Sequence, residues 1–163
     1  LKEHCREVFL SCRSDQEALY TSFGLPVITD RYLETGPAGG LLSAQQRHPQ
    51  TAWLAVACDM PFLDAALLGE LLENRMPLRF ATAFRIPGSG KFEPLSACYE
   101  PKSRAALLAG HAEGNHSLQA LLENRRIGEI TLSGSRAISN INDPESMQKV
   151  VREFRSFSGE NHP

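Results

Sequence analysis

A chain of 163 residues, 42% of them hydrophobic, is long enough to bury the core of one ordinary domain and too apolar for intrinsic disorder. Its 17 Lys and Arg nearly balance its 19 Asp and Glu, which excludes the basic field of a nucleic-acid-binding domain and requires any anionic ligand to be held locally. No run reaches the about 18 uncharged apolar residues of a membrane span, and no signal-peptide pattern is present.

The chain opens on LKEHCREVF, without a methionine and already approaching a strand, as expected of part of a longer polypeptide. Six apolar runs of strand length then follow: Glu7 to Cys12, Leu25 to Asp30, Ala52 to Cys58, Phe80 to Ile86, Glu93 to Glu100 and Glu129 to Leu132. Their continuous apolarity suits strands covered on both faces. Helical patterns separate the first four: SDQEALYTSF, GGLLSAQQRH and DAALLGELLENR, the last with Leu63, Leu67, Leu68, Leu71 and Leu72 on one face. This alternation predicts an α/β fold with a doubly wound, mostly parallel sheet, in a single domain over residues 1–163. FRIPGSGKFEP interrupts the pattern with a turn, so a hairpin or sheet-edge excursion is expected there. Near the end, NINDPESMQKVVREF carries a helix start, with Asp143 as N-cap and Pro144 at the first helical position.

Of the four cysteines, Cys12, Cys58 and Cys98 lie in strand-like runs, and none forms a Cys-x-x-Cys pair with Cys5 or another. Packed, reduced thiols in a cytoplasmic protein are the expectation.

In a parallel sheet, ligands bind beyond the carboxyl ends of the strands. That rule selects Asp30, which ends the second run, Asp59, which ends the third, and the TGPAGG segment after Asp30. Asp59 has two readings: an N-cap for the helix that follows Met60-Pro61, or a carboxylate ligand for Mg²⁺. TGPAGG is either a turn or a place where glycines let backbone approach an anion at a helix start; no Gly-Lys-Ser/Thr follows, so it is not a Walker A loop. Asn140 and Asn142 flank Ile141 and place two amides on one side of an extended segment, or else form a turn. Lys91, after the Gly88–Gly90 turn, is either a phosphate contact or solvated. His4, His48, His111, His116 and His162 show no metal spacing and receive no role.

Together and in order, these motifs resemble the molybdenum-cofactor guanylyltransferases, the MobA-type nucleotidyltransferases. Asp30 followed by Gly36, Pro37 and Gly40 matches the family's aspartate and G-P-x-x-G loop. Cys58, Asp59, Pro61 and Phe62 match its C-D-x-P-[FY], and Asn140, Asn142, Pro144 and Glu145 match its N-x-N-x-P-E. EPLSACY is similar to an H-P-x-x-A-x-Y strand with Glu93 in place of the histidine, and GNHSLQALLENRRI to a G-x-x-S-L-x-x-x-L helix.

The resemblance implies a Rossmann-like nucleotidyltransferase fold and transfer of GMP from GTP to molybdopterin with release of pyrophosphate. It implies Asp59 as the catalytic Mg²⁺ ligand, and Asp30, Gly36, Pro37 and Gly40 on the nucleotide side. Asn140 and Asn142 fall on the acceptor or metal side. The small molecules GTP and molybdopterin are the implied partners, with molybdoenzymes or other cofactor-biosynthesis proteins beyond them. The family's opening strand and its L-A-G-G-x-S-x-R-M-G-x-D-K loop have no counterpart here. The 163 residues alone are therefore expected to leave strand edges unpaired and to be inactive. A CTP-using or other-acceptor nucleotidyltransferase is the near alternative, and a non-catalytic module binding molybdopterin or a partner is the distant one.

Overall fold

A computed structural model of the chain describes residues 1–60 and 63–132. Each of the six apolar runs forms a strand: β1 Leu10–Cys12, β2 Val27–Thr29, β3 Trp53–Val56, β4 Ala81–Arg85, β5 Phe92–Tyr99 and β6 Gly128–Thr131. The helices are α1 Glu17–Tyr20, flanked by 3-10 turns at Ser14–Gln16 and Thr21–Phe23, then α2 Pro37–Arg47, α3 Ala65–Glu73, α4 Ser103–Ala112 and α5 Leu118–Glu123. Pro61, Phe62 and the expected last helix with Asn140, Asn142, Asp143, Pro144 and Glu145 lie outside the described residues.

The fold is mixed α/β. β1 and β2 pair in parallel, and β4 and β6 pair in parallel, while β5 runs antiparallel between β3 and β4 in the order β3-β5-β4-β6. β3, β4 and β6 therefore share one direction, and β5 is the excursion expected from FRIPGSGKFEP, placed inside the sheet rather than at its edge. Ile86 N–H donates to Lys91 O at 2.7 Å and Gly90 N–H to Ile86 O at 3.1 Å, closing the hairpin. Helices cover both faces: α2, α4 and α5 supply Leu41, Leu42, Leu107, Leu118 and Leu122 to one core, and α3 packs Leu71 against Phe84, Ile130 and Leu132 on the other. Among the described residues no ladder joins β1 to β3, so two sheets stand side by side.

β5 contains Pro94, which has no N–H to give to a ladder. The strand absorbs it in a bulge: Phe92 pairs with Arg85 and Ala97 with Ala83, so five steps along β5 answer two along β4. The backbone groups displaced by the bulge find other partners. Leu95 N–H donates to Glu93 Oε1 at 3.0 Å, Ala57 N–H to Leu95 O at 3.0 Å and Tyr99 Oη to Pro94 O at 3.0 Å.

Cys12 and Cys98 are buried, and burial pushes the Cys98 thiol up to about 11. Cys58 departs from the expectation of a packed thiol. β3 ends at Val56, two residues before it, and Cys58 is exposed on the following turn.

Candidate active site

α2 orients the molecule. Its first turn lies against the ends of β1 and β2, where a Cβ on Gly40 would stand 2.6 Å from Ser11 Oγ and 3.3 Å from Asp30 Oδ1. Its last turn meets the starts of β1 and β3, where the rings of Phe9, His48 and Trp53 cluster with centroids 5.6 to 6.1 Å apart. β1, β2 and β3 thus run the same way, and Asp30 and Asp59 both emerge at the opposite edge. β4 ends and β5 begins at that edge as well, which adds Lys91 and Glu93.

At the Asp30 end, Ser11 Oγ donates to Asp30 Oδ1 at 2.9 Å. Burial raises the Asp30 pKa above the usual carboxylate range, offset in part by the Ser11 hydrogen bond and the Arg13 charge. The loop from Asp30 to Gly36 folds over α2: Arg31 N–H donates to Ser43 Oγ at 2.9 Å and Thr35 Oγ1 to Tyr32 O at 2.6 Å. A Cβ on Gly39 would collide with Thr35 Oγ1 and the Tyr32 carbonyl. The space above Gly39 is thus filled by the chain's own loop, and that above Gly40 by Ser11 and Asp30. Gly36 serves conformation, with φ +56° as the N-cap of α2 and nothing near its missing side chain. Pro37 occupies the first helical position, and Gly36 offers no capping side chain to the amides of the first turn.

At the Asp59 end, the capping question is settled by the neighbouring aspartate. Asp64 is the N-cap of α3 and accepts from Leu67 N–H at 2.9 Å. Asp59 lies five residues earlier in a turn and caps no helix among the described residues. Met60 behind it is buried and accepts a hydrogen bond from Ser96 Oγ at 3.1 Å, which pins the turn to β5.

Asp59 Oδ1 is sealed from solvent with no hydrogen-bond partner among the described residues. Glu93 stands close by, only 8% exposed. Burial raises its pKa, the Asp59 charge raises it further, and the Leu95 N–H offsets part of the rise. A sealed carboxylate oxygen with no donor among the described residues, beside a second buried carboxylate, is a donor set that suits a hard divalent cation. Among the described residues no group of three His, Cys, Asp or Glu converges, so Asp59 and Glu93 are the acidic groups available here. Lys91 is exposed on the hairpin, two residues from Glu93. Asp30 and Asp59 share no hydrogen bond among the described residues; each stands at its own strand end.

The family described as MobA-like NTP transferase domain matches residues 1–130. The chain belongs to that family. A molybdenum cofactor biosynthesis bifunctional protein of Synechocystis is 28% identical over 92% of this chain, which spans 43% of that relative's length. A molybdenum cofactor guanylyltransferase of Pseudomonas putida is 30% identical over 87% of this chain and 74% of its own. The crystal structure of molybdopterin-guanine dinucleotide biosynthesis protein A from Archaeoglobus fulgidus superposes with a TM-score of 0.75 at 20% identity, covering 91% of this chain and 78% of that one, a likeness of fold. In this MobA-like domain no helix among the described residues is long and apolar enough to cross a membrane.

Sequence reasoning treats Glu93 only as a departure from a family histidine and passes over Met60. The signal for Glu93 is a charge at the head of an apolar strand directly before a proline, which marks a bulge that re-aims a side chain.

Proposed function

We propose that this MobA-like domain moves GMP from GTP to molybdopterin. A phosphate oxygen of molybdopterin attacks the α-phosphorus of GTP, the bond from that phosphorus to the bridging β-phosphate oxygen breaks, and pyrophosphate leaves. The observation that carries this reading is the match to the MobA-like family, with several relatives at 26 to 30% identity named molybdenum cofactor guanylyltransferase.

The site chemistry supports it. Phosphoryl transfer is catalysed mainly by positioning and by neutralising charge. Asp59, with Glu93 behind it, would hold Mg²⁺, which supplies charge neutralisation on the phosphate oxygens when bound. Asp30 and the Gly36, Pro37 and Gly40 segment form the nucleotide side, where the α2 first-turn amides favour an anion. Asn140 and Asn142 serve the acceptor or metal side. The separation of β1–β2 from the four-stranded sheet supports the expectation that the 163 residues by themselves release no pyrophosphate.

The test is pyrophosphate release by the full gene product with molybdopterin, Mg²⁺ and either GTP or CTP. GTP-dependent release with formation of the guanine dinucleotide is expected. A preference for CTP, or no nucleotide transfer at all, overturns the reading.

A further inference from the structure

The β4–β5 hairpin carries two cations, and the fold treats them differently. Arg85, the last residue of β4, is fully engaged: its Nε lies 2.6 Å from Glu129 Oε1, and its Nη2 donates to Glu129 Oε2 at 2.8 Å. Its Nη1 donates to Gly90 O, and its guanidinium lies over the Phe92 ring, 4.3 Å from the centroid. One side chain thus ties β6, the turn and the first residue of β5 together. Lys91 is held by its backbone instead. Its carbonyl accepts from Ile86 N–H at 2.7 Å, its N–H donates to Ser89 Oγ at 3.2 Å, and Gly88 and Gly90 supply the left-handed residues of the turn at φ +81° and +67°. The Lys91 side chain is exposed and enters no ion pair among the described residues.

Strand alternation fixes which way it faces. Arg85 pairs with Phe92 on the α2, α4 and α5 side of the sheet, so Ile86 and Lys91 fall on the α3 side, where Ile86 packs with Leu71 and Phe84. The Asp59 turn leads into α3, and Glu93 follows Lys91 by two residues.

The order of groups along the edge separates two substrates. Asp30 follows β2, Ser11 lies in β1, Asp59 follows β3, and the hairpin comes beyond it; the Phe9 and Trp53 rings mark the junction of β1 with β3. With the nucleotide on the Asp30 side of Asp59, the second substrate meets the hairpin. That substrate arrives as a phosphate monoester beside the carboxylates of Asp59 and Glu93, and like charges oppose its approach unless a cation faces it. On the hairpin, Lys91 is the cation that no carboxylate already holds among the described residues.

We propose that the Lys91 ammonium binds the phosphate of the acceptor, and that Arg85 is a positioning residue that acts through Lys91 by clamping the hairpin. The proposal rests on the transferase reading and assigns the acceptor end of that site. Lys91 stays protonated throughout and takes no part in bond making.

The experiment uses the full gene product, with initial rates measured against molybdopterin and against GTP, and molybdopterin binding followed by fluorescence. K91M removes the charge and keeps the length. It is expected to raise the KM for molybdopterin about tenfold, the worth of one charge-assisted hydrogen bond, with the KM for GTP and the melting temperature unchanged. K91R should recover most of the affinity, and dephosphorylated molybdopterin should bind parent and K91M alike. R85Q should raise the same KM, and the double variant should lose no more than K91M alone, because the two residues act in series. An unchanged molybdopterin KM in K91M, a rise in the GTP KM instead, or additive losses in the double variant would overturn the proposal. If the parent transfers no GMP, the transferase reading fails by itself. Lys91 is then judged by molybdopterin binding, and equal binding by parent and K91M, or none by either, overturns its role.

Discussion

Arg75, two residues beyond the end of α3, and Glu100, the residue after β5, form a two-pronged ion pair. Arg75 Nε lies 2.7 Å from Glu100 Oε1, and its Nη2 donates to Oε2 at 2.9 Å. The Glu100 side chain is 3% exposed, whereas that of Arg75 keeps 38% of its surface. Planar guanidinium and carboxylate match in this geometry, and lysine cannot reproduce it. Replacing Arg75 with alanine strands a buried carboxylate and is expected to cost about 3 kcal/mol. Urea unfolding of R75A measures it, and R75K should recover only part of the loss.

Glu93 makes stability depend on pH in a stated direction. Its folded pKa is raised, first by burial, so the folded state favours the protonated form. Its contribution is full below the ordinary Glu value and is lost as pH rises through the raised folded value. E93Q keeps an oxygen for the Leu95 N–H and removes the charge. Its melting temperature should equal that of the parent in acid and exceed it increasingly towards neutral pH. Parallel melting curves across that range would refute this.

Asp59 and Asp64 separate chemistry from stability. D64A removes the Leu67 N–H acceptor and should cost about 1 kcal/mol in chemical denaturation. D59N touches no helix cap, so its stability should match or exceed the parent's, while Mg²⁺-dependent transfer by the full gene product should fall at least a hundredfold. Turnover at the parental rate would remove Asp59 from the mechanism.

Gly39 and Gly36 should fail for different reasons. G39A drives a methyl group into Thr35 and the Tyr32 carbonyl, so the loop must move, at a cost of about 1 to 3 kcal/mol. G36A meets no atom but inherits φ +56°, a backbone strain of about 1 to 3 kcal/mol. Amide spectra distinguish the two: G39A should shift Tyr32 to Thr35, and G36A should leave Tyr32 in place.

Each apolar run became a strand because a continuous apolar segment of that length can be buried in few other ways. The place of β5 was not legible, because periodicity reports which face is buried and not which neighbour a strand chooses. Asp59 and Asp64 share one short stretch, and Pro61 drew the cap towards the earlier residue. What decides is which carboxylate reaches an amide of the first turn of α3, and among the described residues Asp64 does so.

Met60 ties the Asp59 turn to the sheet through a thioether that accepts from Ser96. That atom is a buried, oxidisable thioether on the same turn as the exposed Cys58 thiol. Conversion to the sulfoxide would put a polar, chiral oxygen where Ser96 now donates to sulfur, inside a space with 5% exposure. The turn would have to lift from β5, carrying Asp59 with it and separating it from Glu93.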